Sequence, residues 1–101
     1  MSQDQEIRIR KYAVEGLVRA LEEFEITTMI VGPDTVTAFD KSGLSQSITL
    51  RWQEGMLMWC WLWPGRKDGD VDAEAMVMVE QIGEAARRIR DVISVTADRA
   101  R

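Results

Sequence analysis

The chain has no histidine, one cysteine, two prolines and one tyrosine among its 101 residues. Without histidine, no imidazole can serve as base, proton shuttle or metal ligand. A lone cysteine excludes an internal disulfide and a cysteine-based zinc site. The few prolines and glycines exclude collagen-like and low-complexity chains. No long apolar run exists; the longest spans Met56–Trp63, far short of the about 20 residues a membrane helix needs. Positive charge is also scarce. Lys plus Arg total 13 against 17 Asp plus Glu, a formal net charge of −4. A phosphate-neutralising protein carries a basic excess, so nucleic acid is disfavoured as the main partner, and so is an anionic membrane surface.

What is present is an ordinary globular composition, 46% hydrophobic and 30% charged. The length suits one domain over 1–101 with a single core. The ordered part is expected from about residue 4 to about residue 93, with Ser94–Arg101 as a frayed tail. No apolar h-region is visible in Met1–Glu25, so no secretion signal is expected. Together with the unbridged cysteine, this suggests a reduced, cytoplasmic protein.

Val14, Leu17, Val18, Leu21 and Phe24 recur at helical spacing, which predicts a helix over Asp4–Glu25. Ser2 and Gln5 fit a capping box at its start. Ile7 and Ile9 alternate with Arg8 and Arg10, so an extended start is the alternative. Ile26–Val31 and Thr35–Phe39 read as strands separated by the Gly32-Pro33-Asp34 turn. After Asp40-Lys41-Ser42-Gly43 comes Leu44–Gln53, whose apolar and polar residues alternate with period two. Glu54-Gly55 turns the chain into Met56–Trp63, and Pro64-Gly65 ends that strand. A polar loop follows to Asp72, the expected N-cap of a second helix. Ala75, Met78, Val79, Ile82, Ala86, Ile89 and Ile93 lie at helical spacing along it. The expectation is an α+β two-layer sandwich in the order α-β-β-β-β-α. Its antiparallel sheet carries both helices on one face and leaves the other open.

Register decides which way the tryptophans point. With a two-residue loop at Glu54-Gly55, Gln53 pairs with Met56, Leu50 with Trp59, Ile48 with Trp61 and Gln46 with Trp63. Trp52, Trp59, Trp61 and Trp63 then lie under the helices, as core or as the wall of a ligand site. A loop one residue longer or shorter inverts the assignment. In the inward register the open face carries Ser47, Thr49, Arg51, Met58, Cys60 and Leu62. Such an apolar stripe is unusual on a monomer, which points to a second copy, another protein or a small apolar ligand.

No catalytic constellation is visible. Asp68-Gly69-Asp70-Val71-Asp72 has the opening spacing of a calcium loop, but Ala73 and Val79 stand where glycine and glutamate are required. Gly65-Arg66-Lys67-Asp68-Gly69 lacks the Gly-Lys-Ser/Thr ending of a P-loop. Cys60 has no base to activate it, and burial disfavours its thiolate. Ser42, Ser45 and Ser47 have no histidine partner. Glu22, Glu23 and Glu25 read as a solvated face. Arg87, Arg88 and Arg90 suit the C-terminal part of a helix and pairing with Glu80, Glu84 or Asp91. No cofactor or metal is expected.

The segment Gly55–Ile93 resembles the second half of small actinobacterial proteins of unknown function. These share a Trp-rich strand, a glycine and acidic loop, and an Ala/Ile-rich amphipathic helix. The resemblance implies a bacterial protein but no activity. Size, acidity and helix–sheet–helix order are similar to the type III secretion chaperone class, acidic dimers that bind polypeptide. The chain lacks that class's later strands and third helix, so no binding residues carry over. The expectation is a non-catalytic interaction or adaptor module, homodimeric or bound to another protein through the open face. The alternatives are a ligand sensor using the Trp-rich strand and, third, a nucleic-acid binder.

Overall fold

The computed structural model describes residues 2–64 and 71–99, and the side chains within them apart from Pro64 and residues 94–99. Helix α1 spans Gln3–Glu23. The strands are β1 (Thr27–Val31), β2 (Thr35–Phe39), β3 (Ser45–Gln53), β4 (Met56–Pro64) and β5 (Val71–Met78), and helix α2 spans Ile82–Arg99. The strands form one antiparallel sheet in sequence order, β1-β2-β3-β4-β5. Helix α1 lies against β1 and β2, α2 against β3 and β5, and the helices touch each other. The fold is α+β, with one strand more than the alternation suggests.

Local chemistry sets the boundaries. The Ser2 hydroxyl accepts from the Gln5 N–H and the Gln5 side chain accepts from the Ser2 N–H, closing the capping box. The first turns are therefore helical rather than extended. At the other end, Ile26 N–H donates to Leu21 O and Glu25 N–H to Glu22 O. This Schellman closure puts Glu25 at φ 61°, where glycine is usual. The β2–β3 turn is held by Asp40, whose Oδ1 accepts from the Ser42 and Leu44 backbone N–H groups at 2.8 and 2.9 Å. These bonds, with the Ser42 hydroxyl foremost, hold the Asp40 carboxyl below its ordinary pKa.

Glu54 and Gly55 both have positive φ, 50° and 83°, the signature of a type I′ hairpin. The tight loop fixes Gln53↔Met56, Leu50↔Trp59 and Ile48↔Trp61. Trp59 and Trp61 consequently enter the core with Leu17, Leu21, Val36, Ile48, Leu50 and Ile89. The helices meet at Gly16, where a Cβ would come within 2.9 Å of Ile82 Cδ1. A side chain here would require the end of the Ile82 side chain to move aside.

The structure corrects the second half of the chain. Asp72 does not cap a helix; it lies in β5, and α2 begins ten residues later at Ile82. Val71, Ala73 and Ala75 alternate with Asp72 and Glu74, which is a strand period. Met76 is then an extra residue: Trp59 pairs with Val77 and Cys60 with Ala75, across a register shift. The bulge sends Met76 and Val77 both to the core. That phase slip turns a period of two into the three- and four-residue spacings of a helix. The true start of α2 follows Gln81, whose side chain accepts from Met78 N–H and whose carbonyl accepts from Ala85 N–H. Glu84 is the carboxylate in its first turn. The helix continues to Arg99, past the end expected near residue 93. Among the described residues no helix is long and apolar enough to cross a membrane.

Candidate interaction surface

The register places one set of side chains on the sheet face away from the helices. Thr27, Met29 and Val31 come from β1; Thr35, Thr37 and Phe39 from β2; Ser45, Ser47, Thr49, Arg51 and Gln53 from β3. Met56, Met58, Cys60 and Leu62 come from β4, and Val71, Ala73, Ala75 and Met78 from β5. The six residues expected on this face are all on it. Among its described strand residues Arg51 is the only charged one, in a chain that is 30% charged.

The face has two regions. Over β4 and β5, Met56, Met58, Leu62, Val71, Ala73, Ala75 and Met78 make an apolar field. The β5 contribution is invisible if Val71–Met78 is taken as loop and helix; its signal is the alternation of Val71, Ala73 and Ala75 with acids. Over β2 and β3 the side chains are hydroxyls bonded to one another. Thr35 and Thr49 hydroxyls lie 2.9 Å apart, and Thr37 and Ser47 hydroxyls 2.8 Å apart. Thr49 Oγ1 also donates to Asp34 O at 3.1 Å, so Thr35 supplies the proton of the first pair.

Two of the expected contact residues are on the face but not at its surface. Thr49 and Cys60 are buried. Both are short side chains on central strands, and Cys60 sits between the longer Met58 and Leu62. Sγ of Cys60 lies 3.7 Å from Met58 O, and burial pushes its thiol pKa up. Arg51, Met58, Leu62 and Ser47 remain accessible.

The tryptophans divide rather than forming one buried ladder. Trp59 and Trp61 are core. Trp52 has the inward register but sits at the sheet margin, 47% exposed, where its indole N–H donates to Glu6 Oε1 at 2.6 Å. Trp63 is half-buried; its indole N–H donates to Glu74 Oε2 at 2.9 Å, and its ring packs 5.8 Å from that of Trp61. Trp59 is fully buried in the core.

The Trp52 contact belongs to a clamp that sequence reading missed. Arg10 pairs with Glu6 and with Asp34, and donates to Leu50 O. It thus ties α1 to the β1–β2 turn and to β3. The Trp52 hydrogen bond, then Arg10, hold the Glu6 carboxyl below its ordinary pKa. A shallow groove of about 460 Å³ lies between Arg8, Ile9 and Tyr12 of α1 and Val79, Glu80 and Ile82 at the β5–α2 corner. On α2, Arg87 and Arg88 pair with Glu84, and Arg90 pairs with Asp91 and stacks over Phe24 at 4.6 Å. The calcium-like and glycine-bounded motifs at Gly65–Asp70 lie outside the described residues; Asp72, their last acid, is a strand residue. No protein-family model, curated protein or solved structure matches this chain.

Proposed function

We propose that the protein is a non-catalytic interaction module that docks a partner protein on the open face of its sheet. The observation that carries this reading is the near-absence of charge on that face. The chain is 30% charged, and ionised groups resist desolvation. Here a partner has only Arg51 to desolvate, and one carboxylate opposite it would suffice. The paired hydroxyls of Thr35, Thr37, Ser47 and Thr49 have already exchanged water for each other, which lowers the cost of covering them. Methionines 56, 58 and 78 supply an adaptable apolar surface. The single, buried thiol suits a reducing compartment.

The test is site-specific photo-cross-linking in the native host. A photoreactive residue at Leu62 should give a discrete protein adduct, while one at Tyr12, on the outside of α1, should not. Absence of an adduct from position 62, or equal adducts from both positions, would defeat the reading.

A further inference from the structure

The two edges of the sheet are built differently. The β5 edge carries Asp72 and Glu74 and the bulge at Met76, and charges and bulges are what discourage strand addition. The β1 edge has none of these. Thr27–Val31 is five uncharged residues in unbroken register with β2, and no described residue pairs with its outer side. Met29 and Val31 on the open face and Ile30 on the helix face are 53%, 48% and 53% exposed. An edge that is flat, neutral and apolar on both faces is a template for another strand.

We propose that this strand is β1 of a second copy, paired antiparallel about a two-fold axis through Met29. Symmetry makes one patch its own complement. With the axis at the central residue all of β1 is used: Met29 faces Met29, Thr28 faces Ile30, and Thr27 faces Val31 across the junction. No charged residue enters the pairing. Glu25, which lies 3.7 Å from Lys41 of its own chain, comes opposite the neutral Pro33 of the second copy. Moving the axis to Thr28 or Ile30 leaves an end of β1 unpaired. Ile30 stays half-exposed on the helix face although α1 lies against β1, which leaves apolar area there for the second copy to cover.

Such an axis stands perpendicular to the sheet. The two five-stranded sheets become one, with all helices on one side and both open faces on the other. The pairing is independent of the open-face reading, but it would double the docking surface that reading describes. Pairing over one short strand is a small interface, so association should depend on concentration.

Sedimentation equilibrium of the full chain should show the mass rising from 11.5 kDa toward twice that between about 1 µM and about 1 mM, a range matched to weak association. Met29→Lys should stay monomeric with unchanged circular dichroism, while Leu62→Glu should still dimerise. In a Cys60→Ser background, Met29→Cys should oxidise to a cross-linked dimer, because directly opposed residues are within disulfide reach. Val31→Cys should not, since its symmetry mate lies several residues away along the strand. The proposal is overturned by a monomer at every concentration, by a dimer that Leu62→Glu dissolves and Met29→Lys leaves intact, or by equal cross-linking at 29 and 31. If Met29→Lys fails to fold, the cysteine pair decides.

Discussion

Trp59→Phe should be nearly neutral although Trp59 is the largest fully buried side chain of the core. Two effects oppose each other. Removing the smaller half of the indole loses about 1 to 1.5 kcal/mol of transfer free energy. It also leaves a void of roughly 40 Å³, which costs about 1 kcal/mol more at ~24 cal/mol per Å³. Against this, the buried Trp59 Nε1 has no hydrogen-bond partner among the described residues. Leaving a donor orphaned costs about 1–3 kcal/mol, and phenylalanine has no donor. The sum lies within about 1.5 kcal/mol of zero, whereas Trp59→Ala should cost about 3–5 kcal/mol. Trp61→Phe is the internal control. It removes the same atoms from a side chain 9% exposed that has no orphaned buried N–H, so its loss of about 2 kcal/mol should be uncompensated. Urea unfolding followed by circular dichroism reads all three variants. If Trp59→Phe costs as much as Trp61→Phe, the orphaned donor is not an energetic liability and the reasoning fails.

Glu25→Gly should raise stability by about 1 kcal/mol, because the Schellman closure holds residue 25 at a left-handed φ that strains any side chain; its exposed ion pair with Lys41 offsets little. A lower urea midpoint would count against that geometry. Glu6 has a folded pKa below the ordinary 4.5, held there by the Trp52 indole N–H and then by Arg10. The unfolded chain therefore binds the proton first, so the contribution is complete above about pH 4.5 and is lost as pH falls through the lower folded value. Glu6→Gln should flatten the acid limb of the stability–pH curve and remove an acid-range change in Trp52 fluorescence; an unaltered acid limb would contradict the clamp.

Much of this molecule is determined by local sequence. Ser2 and Gln5 start α1, and the two-residue Glu54-Gly55 loop, with φ positive at both residues, turns Trp59 and Trp61 toward the helices. The strand alternation of Ser45–Gln53 then defines which residues share the open face. These features follow from hydrogen bonds and turn geometry within a few residues of each other. The tertiary structure decided what the pattern left degenerate. Val71–Met78 reads as a helix because a single bulged residue shifts a two-residue period, and only pairing with β4 reveals the slip. Thr49 and Cys60 belong to the open face by register but are hidden there by longer neighbours. Trp52 has the inward register but lies where the sheet outruns the helices. The exposure of β1 likewise depends on strand order, because a strand is an edge only with respect to the sheet that does or does not continue beyond it.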